Sequence, residues 1–363
     1  MDCIIIGAGI MGLMTARELA MAGLKVCVLD QAAIGRESSW AGGGILSPLY
    51  PWRYPEAVQR LAKYSQSVYP DLVKTLHSDT GVDAERRDSG LLIIGCEELA
   101  AAKNWAEEYP TSLTTLDNPA LQTLAPALSP KLLDESEAPM WFEQIGQVRN
   151  PTLLKALTKD VLQRGVEIRE QTQVESFLIY RDKIKGVATS KGKLEAERVI
   201  ACSGAWTQDL LQTTDSKVKV EPVKGQMLMY KAEPSLLKQI ILYQDRYVIP
   251  RKDGRVLMGS TLEYAGFDKT TTQAANADLQ SAVADIIPEL ANYPIERQWA
   301  GLRPGTSDGV PYIYADQNIE GLFVNCGHFR NGVVLSPASA RLTADLVLNR
   351  SPIIEPLLFK PDL

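Results

Sequence analysis

The sequence predicts an α/β fold in two parts, a parallel-sheet domain and an α+β domain with a large antiparallel sheet. Three observations carry this. Residues 2–30 read as strand, glycine turn, helix and strand, ending in an acid. Two later buried-strand patterns, at 198–202 and 321–326, each run into another glycine turn. Residues 217–230 alternate apolar with polar and lead to short apolar runs at 240–243, 247–250 and 256–258, as antiparallel strands do.

In the opening unit, Asp2-Cys3-Ile4-Ile5-Ile6 suits a strand buried on both faces of a parallel sheet. It enters Gly7-Ala8-Gly9-Ile10-Met11-Gly12, a G-x-G-x-x-G, and then a helical stretch that Gly23 closes. Lys25-Val26-Cys27-Val28-Leu29 is the second strand, with Asp30 at its carboxyl end. Gly7 permits the tight turn, Gly9 lets the backbone approach a pyrophosphate, and Gly12 lets helix and strand pack closely. The helix N-terminus offers N–H groups and a positive dipole end to phosphates. Asp30, 18 positions after Gly12, can accept hydrogen bonds from a ribose diol. The unit is Rossmann-like, and a dinucleotide site is predicted.

Hydrophobic residues make up 45% and charged residues 23% of the 363, which suits an enzyme with a sizeable core and, at this length, two domains. A net charge of −6 argues against a nucleic-acid partner. No segment reaches the ~18 consecutive apolar residues of a membrane span, and the apolar start lacks the basic region of a signal peptide. Cys3, Cys27, Cys202 and Cys326 sit in strand-like runs, apart from Cys96, so buried reduced thiols are expected. With His77 and His328 the only histidines, no metal site is expected. A cytoplasmic enzyme is the composite reading.

After Asp30, small and hydroxylated residues dominate Glu37-Ser38-Ser39-Trp40-Ala41-Gly42-Gly43-Gly44-Ile45. A nicotinamide enzyme would pass here into another ordinary βα unit. This stretch instead suits close contact with a flat ligand through serine and backbone groups; a merely flexible loop is the alternative. Tyr50-Pro51-Trp52-Arg53-Tyr54 is either a pocket wall or a packing corner. Residues 55–80 form a helix with His77 at its surface. A strand at 89–95, helices at 97–108 and 118–128, and a strand at 139–142 form an inserted section. The helix 151–164 and strand 166–170 follow, then a three-run meander ending at 196. Ser203-Gly204-Ala205-Trp206 turns backbone N–H groups back toward the nucleotide. Asp253-Gly254 marks a hairpin and 271–290 an amphipathic helix. A strand at 295–301 brings Leu302-Arg303-Pro304-Gly305 out at its end, and a helix from about Leu335 closes the chain.

These pieces resemble, over essentially the whole chain, the D-amino acid oxidase superfamily of FAD-dependent amine oxidases. Within it they are most similar to the glycine oxidase branch, the ThiO type of thiamin biosynthesis. Most specific are residues 4–12 with Asp30, the 37–44 stretch, Ala201-Cys202-Ser203-Gly204-Ala205-Trp206, Leu302-Arg303-Pro304-Gly305-Thr306-Ser307-Asp308-Gly309, and Gly327-His328-Phe329-Arg330-Asn331-Gly332. The resemblance implies a glutathione-reductase type FAD-binding domain from residues 1–85, 146–215 and 300–363, and a substrate domain from 86–145 and 216–299. It places Ile10, Met11, Asp30 and Gln31 on the ADP half, with Ser38, Ser39, Gly43, Gly44 and Ile45 further along. Val174 would hold the adenine edge through its backbone, and Gly204 would approach the cofactor. His328, Phe329, Arg330, Asn331, Gly332, Val333 and Val334 would border the isoalloxazine ring, where the final helix favours negative charge at flavin N1–C2=O. Sarcosine oxidases of the superfamily tether flavin through a cysteine near the stretch matching 300–306. None stands there, so FAD would be non-covalent.

Arg303 would hold the substrate carboxylate, since a planar guanidinium matches it as a fork. Tyr247 resembles the tyrosine whose hydroxyl touches that carboxylate, and Arg330 a second arginine of the site. The plainer alternatives are ordinary ion pairs and a sheet-packing tyrosine. The implied reaction oxidises glycine and other small amines, such as sarcosine and small D-amino acids. The α-hydrogen leaves as hydride to flavin N5, and the imine hydrolyses to a 2-oxo acid and ammonia or supplies the thiazole of thiamin. Dioxygen then reoxidises the flavin, giving hydrogen peroxide. No side-chain base is required, and the tyrosine and arginine motifs offer no histidine for one. A small amino acid and dioxygen are the expected partners, in a homo-oligomer. Asp245, Arg246 and Leu262 flank the expected pocket. Two readings stay open beside this: a D-amino acid dehydrogenase with a quinone acceptor, and an FAD-binding protein without amine redox activity.

Overall fold

The structure, a computed structural model, describes residues 1–135, 138–214 and 216–361; residues 136, 137, 215, 362 and 363, which the expected domain segments include, lie outside the described residues. The strands in chain order begin with β1 (Cys3–Ile6), β2 (Val26–Leu29), β3 (Leu91–Ile94), β4 (Thr114–Thr115) and β5 (Met140–Phe142). Next come β6 (Glu167–Arg169), β7 (Val174–Tyr180), β8 (Lys183–Thr189), β9 (Gly192–Glu195) and β10 (Val199–Ala201). The remainder are β11 (Glu221–Lys231), β12 (Ile240–Tyr243), β13 (Arg246–Pro250), β14 (Arg255–Gly259), β15 (Ile295–Gly305), β16 (Tyr312–Ala315) and β17 (Leu322–Cys326). The helices that matter for the site are α1 (Ile10–Met21), α2 (Ser38–Ala41), α3 (Glu56–Thr80), α4 (Asn150–Gln163), α5 (Gln273–Ile286) and α6 (Gly332–Val347).

Three sheets result. One has the order β16-β17-β10-β1-β2-β6, parallel except for β16. Its central strands are buried throughout, which is why they read as unbroken apolar runs. One face packs on α1, α4 and α6, the other on the meander β7-β8-β9. The largest sheet, β15-β11-β14-β13-β12-β3-β5-β4, is mostly antiparallel. Alternation along β11 sends Leu228 and Tyr230 to the α5 side and Met227 to the other, toward Tyr247 and Ile249.

Three expectations are corrected. Arg303 lies inside β15 rather than beyond a strand ending at 301, because pairing with β11 continues to Glu221↔Gly305. Pro304 is tolerated since β15 is an edge strand. The long strand expected from Lys217 begins at Glu221. The closing helix begins at Gly332, not Leu335, so Val334 turns into the core with Val58 and Leu61. Pro337 within it donates no N–H, and the carbonyl of Val333 accepts instead from the Tyr69 hydroxyl at 2.6 Å. The Tyr50–Tyr54 segment is a packing corner: Tyr50 is buried, and Trp52 packs on it and on Phe142.

Gly12 shows why the opening unit is so constrained. A Cβ there would stand 1.8 Å from the carbonyl oxygen of Gly7, so α1 could not sit this close to the turn. Gly12→Ala should therefore cost about 3 kcal/mol, measured as a lower urea midpoint.

Candidate active site

A cavity of about 540 Å³ lies between the carboxyl ends of β1, β2, β10 and β17 and one face of the largest sheet. Open α/β sheets bind ligands at that edge, where the strand order reverses. Gly7, Gly9, Ile10, Met11, Asp30, Gln31, Ser38, Ser39, Gly43, Gly44, Ile45, Val174 and Gly204 line it, as do Tyr247, Arg303 and residues 328–333. Gly12 and Val334 do not.

At the nucleotide end, Asp30 Oδ2 accepts from Ala8 N at 2.7 Å and Oδ1 from Ala32 N at 2.8 Å. Burial raises its pKa, while these N–H groups pull the other way. Each oxygen keeps acceptor capacity for a further donor. Ser39 Oγ accepts from Ile10 N at 2.9 Å. The α1 N-cap, Gly9, offers no side-chain cap, and the first turn has no acid, so apart from Ile10 N its N–H groups and dipole are left to an anion. The same holds at the start of α6. The adjoining Asn331 Nδ2 and Asn325 Oδ1 are buried without hydrogen-bond partners, and both residues line the cavity. An elongated ligand with phosphates at one end and a ring of carbonyl and N–H groups at the other would satisfy this set, and FAD fits that description.

Arg303 marks the opposite wall. Its Nη2 donates to Ser260 Oγ at 2.7 Å and to Thr261 O at 3.3 Å, and its Nη1 to Thr261 O at 3.2 Å and Lys224 O at 3.3 Å. Burial lowers its pKa, the Tyr247 hydroxyl opposes this, and the nearby charge of Arg330 lowers it further. Two cations thus face a common space. Gly225 makes the room, since a Cβ there would lie 2.0 Å from Arg303 Nη2. Tyr247 is buried beside Met227, with its hydroxyl 3.7 Å from the Met227 sulfur.

His328 is held as a buried, neutral residue: its Nε2 lies 2.9 Å from Ser339 Oγ, and burial pulls its pKa down to about 3. Cys202 and Cys326 line the cavity, but burial pushes the Cys326 thiol up to about 12 and Cys202 higher still. Neither is thiolate near neutrality.

Sequence reasoning missed several residues. Arg251 is buried and donates to Gly43 O at 2.8 Å, Val148 O at 3.0 Å and Gln147 Oε1 at 2.6 Å; burial pulls its pKa down to about 10. It pins the glycine-rich stretch to β13. Asn150 Nδ2 holds the same stretch through Ser39 O and Gly42 O, at 2.9 and 3.0 Å. Gly225 could have been found, because a glycine inside a strand signals close approach by another group. Ser260, Thr261 and Arg251 carry no such signal.

Residues 2–346 match the family model described as DAO, FAD dependent oxidoreductase. The chain is similar to a glycine oxidase of Pseudomonas aeruginosa, 43% identical over 99% of this chain and 98% of that protein. It is 30% identical to a bifunctional protein ThiO/ThiG of Trichormus variabilis, over 98% of this chain and 54% of that longer protein. The solved glycine oxidase of Geobacillus kaustophilus superposes with a TM-score of 0.93 at 27% identity, covering 99% of this chain and 97% of that one.

The buried histidine has a consequence for acid stability. Between pH 6.5 and about 3, unfolded His328 binds a proton that the folded state refuses, so stability falls as pH drops through that window. Thermal unfolding from pH 7.5 to 4.5 should show wild type losing about 1.4 kcal/mol per pH unit below 6.5 relative to His328→Gln.

Proposed function

The chain belongs to the FAD dependent oxidoreductase family, and we propose that it oxidises glycine and other small amines, including sarcosine and small D-amino acids, with non-covalent FAD and dioxygen. The glycine oxidase relatives support the substrate. The ThiO/ThiG relatives support supply of the glycine imine for the thiazole of thiamin. The observation that carries the reading is Arg303, a partly buried guanidinium beside Tyr247 and Arg330 in a cavity that fits FAD.

Arg303 takes the substrate carboxylate as a fork, Tyr247 donates its hydroxyl to the same group, and Arg330 adds positive charge. These contacts fix the amino acid so that its Cα–H bond faces the cofactor. The amine enters neutral, and no side chain needs to act as base. FAD held along Asp30, Ser39 and the starts of α1 and α6 would supply a two-electron acceptor for the α-hydrogen and its electron pair, with dioxygen as the final oxidant reduced to hydrogen peroxide. The imine hydrolyses to glyoxylate and ammonia. The start of α6 and Asn331 Nδ2 favour negative charge at the flavin pyrimidine edge.

The proposed division of labour is residues 1–85, 146–215 and 300–363 for the cofactor and 86–145 and 216–299 for the substrate, with β15 of the antiparallel sheet crossing the boundary at 300. The five free thiols support the cytoplasm as its compartment, and a homo-oligomer is the proposed assembly.

The test is oxygen uptake by the purified yellow protein with glycine, matched one for one by peroxide and glyoxylate. Reduction by glycine with slow return of colour in air would instead mark a dehydrogenase with another acceptor. A yellow protein indifferent to every amino acid would mark a non-redox role. Two variants give further predictions. Gly225→Ala should raise the KM for glycine about tenfold with a smaller effect on kcat. Arg303→Lys, which loses the fork, should lower kcat/KM about a hundredfold.

A further inference from the structure

Lys224 is a buried lysine that the reaction does not use: its side chain is 2% exposed. The register Val223↔Arg303 places those two residues on one face of the sheet, so Lys224 stands on the other. A buried ammonium persists only when paired. Lys224 Nζ lies 3.1 Å from Asp268 Oδ2 and 3.7 Å from Glu263 Oε2. Both acids belong to residues 260–272, the connection from β14 to α5. Lys224 also exchanges backbone hydrogen bonds with Glu263, each at 2.9 Å. Glu263 in turn accepts from Gln226 Nε2 at 2.9 Å and from the Thr261 hydroxyl.

The rest of this connection faces outward, with Leu262, Tyr264 and Phe267 exposed and Tyr264 at 74%. Its first two residues supply Ser260 Oγ and Thr261 O, two of the three acceptor atoms that orient Arg303; the third is the carbonyl of Lys224 itself. Further along, Lys269 pairs with Glu37 at 2.8 Å and Phe267 stacks on Trp206 with centroids 5.3 Å apart. Glu37 and Trp206 both line the cavity. The connection is thus a strap from the arginine to the cofactor side, with a buried charge anchor at Lys224.

We infer that Lys224 is a positioning residue for substrate binding, which holds the 260–272 strap through Asp268 and Glu263 and thereby sets the orientation of Arg303. This rests on the reading that Arg303 takes the substrate carboxylate. Loss of the anchor frees the strap to shift, Arg303 loses two acceptors, and carboxylate binding weakens while the chemistry of the bound substrate is little changed.

The test compares FAD-loaded wild type with Lys224→Met, Lys224→Arg, Asp268→Asn and Arg303→Met. The readouts are the KM and kcat for glycine, the inhibition constant of acetate, and the melting temperature. Lys224→Met keeps the volume without the charge. Asp268→Asn alters a half-exposed side chain, so it carries the test if the lysine variant fails to fold. Expected is a rise in both KM and the acetate constant on the order of five- to tenfold in Lys224→Met and Asp268→Asn, with kcat within about twofold, and substantial recovery in Lys224→Arg. Unchanged constants in Lys224→Met and Asp268→Asn, with both raised in Arg303→Met, would overturn the role of Lys224 alone. Unchanged constants in Arg303→Met would overturn the reading beneath it.

Discussion

A guanidinium drawn partly out of water with no carboxylate to meet it is the constraint on which the rest of this structure depends. Arg303 meets two carbonyls and a hydroxyl, and among the described residues no acid lies within ion-pair distance of it. Neutral dipoles offset only part of the cost of desolvating a charge. Arg330 shares the cavity and makes the deficit of negative charge larger. On the proposed reading, an amino acid would bring the missing carboxylate and, on the carbon beside it, the bond to be broken, so that binding and orientation would be one event.

The two large sheets divide that event between them. The parallel sheet offers its carboxyl ends and the N-termini of α1 and α6, where, on the proposed reading, backbone N–H groups would answer phosphate and a ring edge. The antiparallel sheet offers a flat face on which Gly225 leaves space for the guanidinium and Met227 and Tyr247 stand beside it. What joins them is polar and at least partly buried. Arg251 reaches from the end of β13 to Gly43 O, and Trp299 Nε1 of β15 donates to Ala41 O at 3.0 Å. The glycine-rich stretch is thus held from the antiparallel sheet, so on the proposed reading the packing of one sheet on the other would set the distance between cofactor and substrate.

How much of this was legible follows from the range of the interactions. The strand, glycine turn and helix of residues 3–21 is largely local: Gly7 has a positive φ and a Cβ at Gly12 would meet the Gly7 carbonyl, demands that the pattern states, whereas the Cys202 carbonyl that also crowds Gly7 is remote in sequence. The same applies to the turn after β10 and to the loop before α6. Arg303 was recognised as a residue type in a motif, but its place inside a strand was not, because Pro304-Gly305 reads as a break until the strand is known to lie at an edge. Val334 was read as loop because Asn331-Gly332 resembles a turn; once α6 starts at Gly332, helical periodicity turns Val334 toward α3. Ser260, Thr261, Arg251 and Lys224 could not be read at all. The roles of Ser260, Thr261 and Lys224 depend on the register of β11 with β15 and on a connection folding back over that pair, and that of Arg251 on the packing of β13 against the glycine-rich stretch; none of these leaves a short-range trace.

The central claim is that the carboxylate held by Arg303 orients the amine for oxidation. It is tested most directly by the rate of anaerobic flavin bleaching with glycine against that with methylamine, which carries the same amine and no carboxylate. Rapid, saturable bleaching by glycine and at least a thousandfold slower bleaching by methylamine at equal concentration is the predicted result (about 4 kcal/mol of lost positioning). Comparable rates with the two amines would contradict the account, since the guanidinium would then have no part in presenting the substrate.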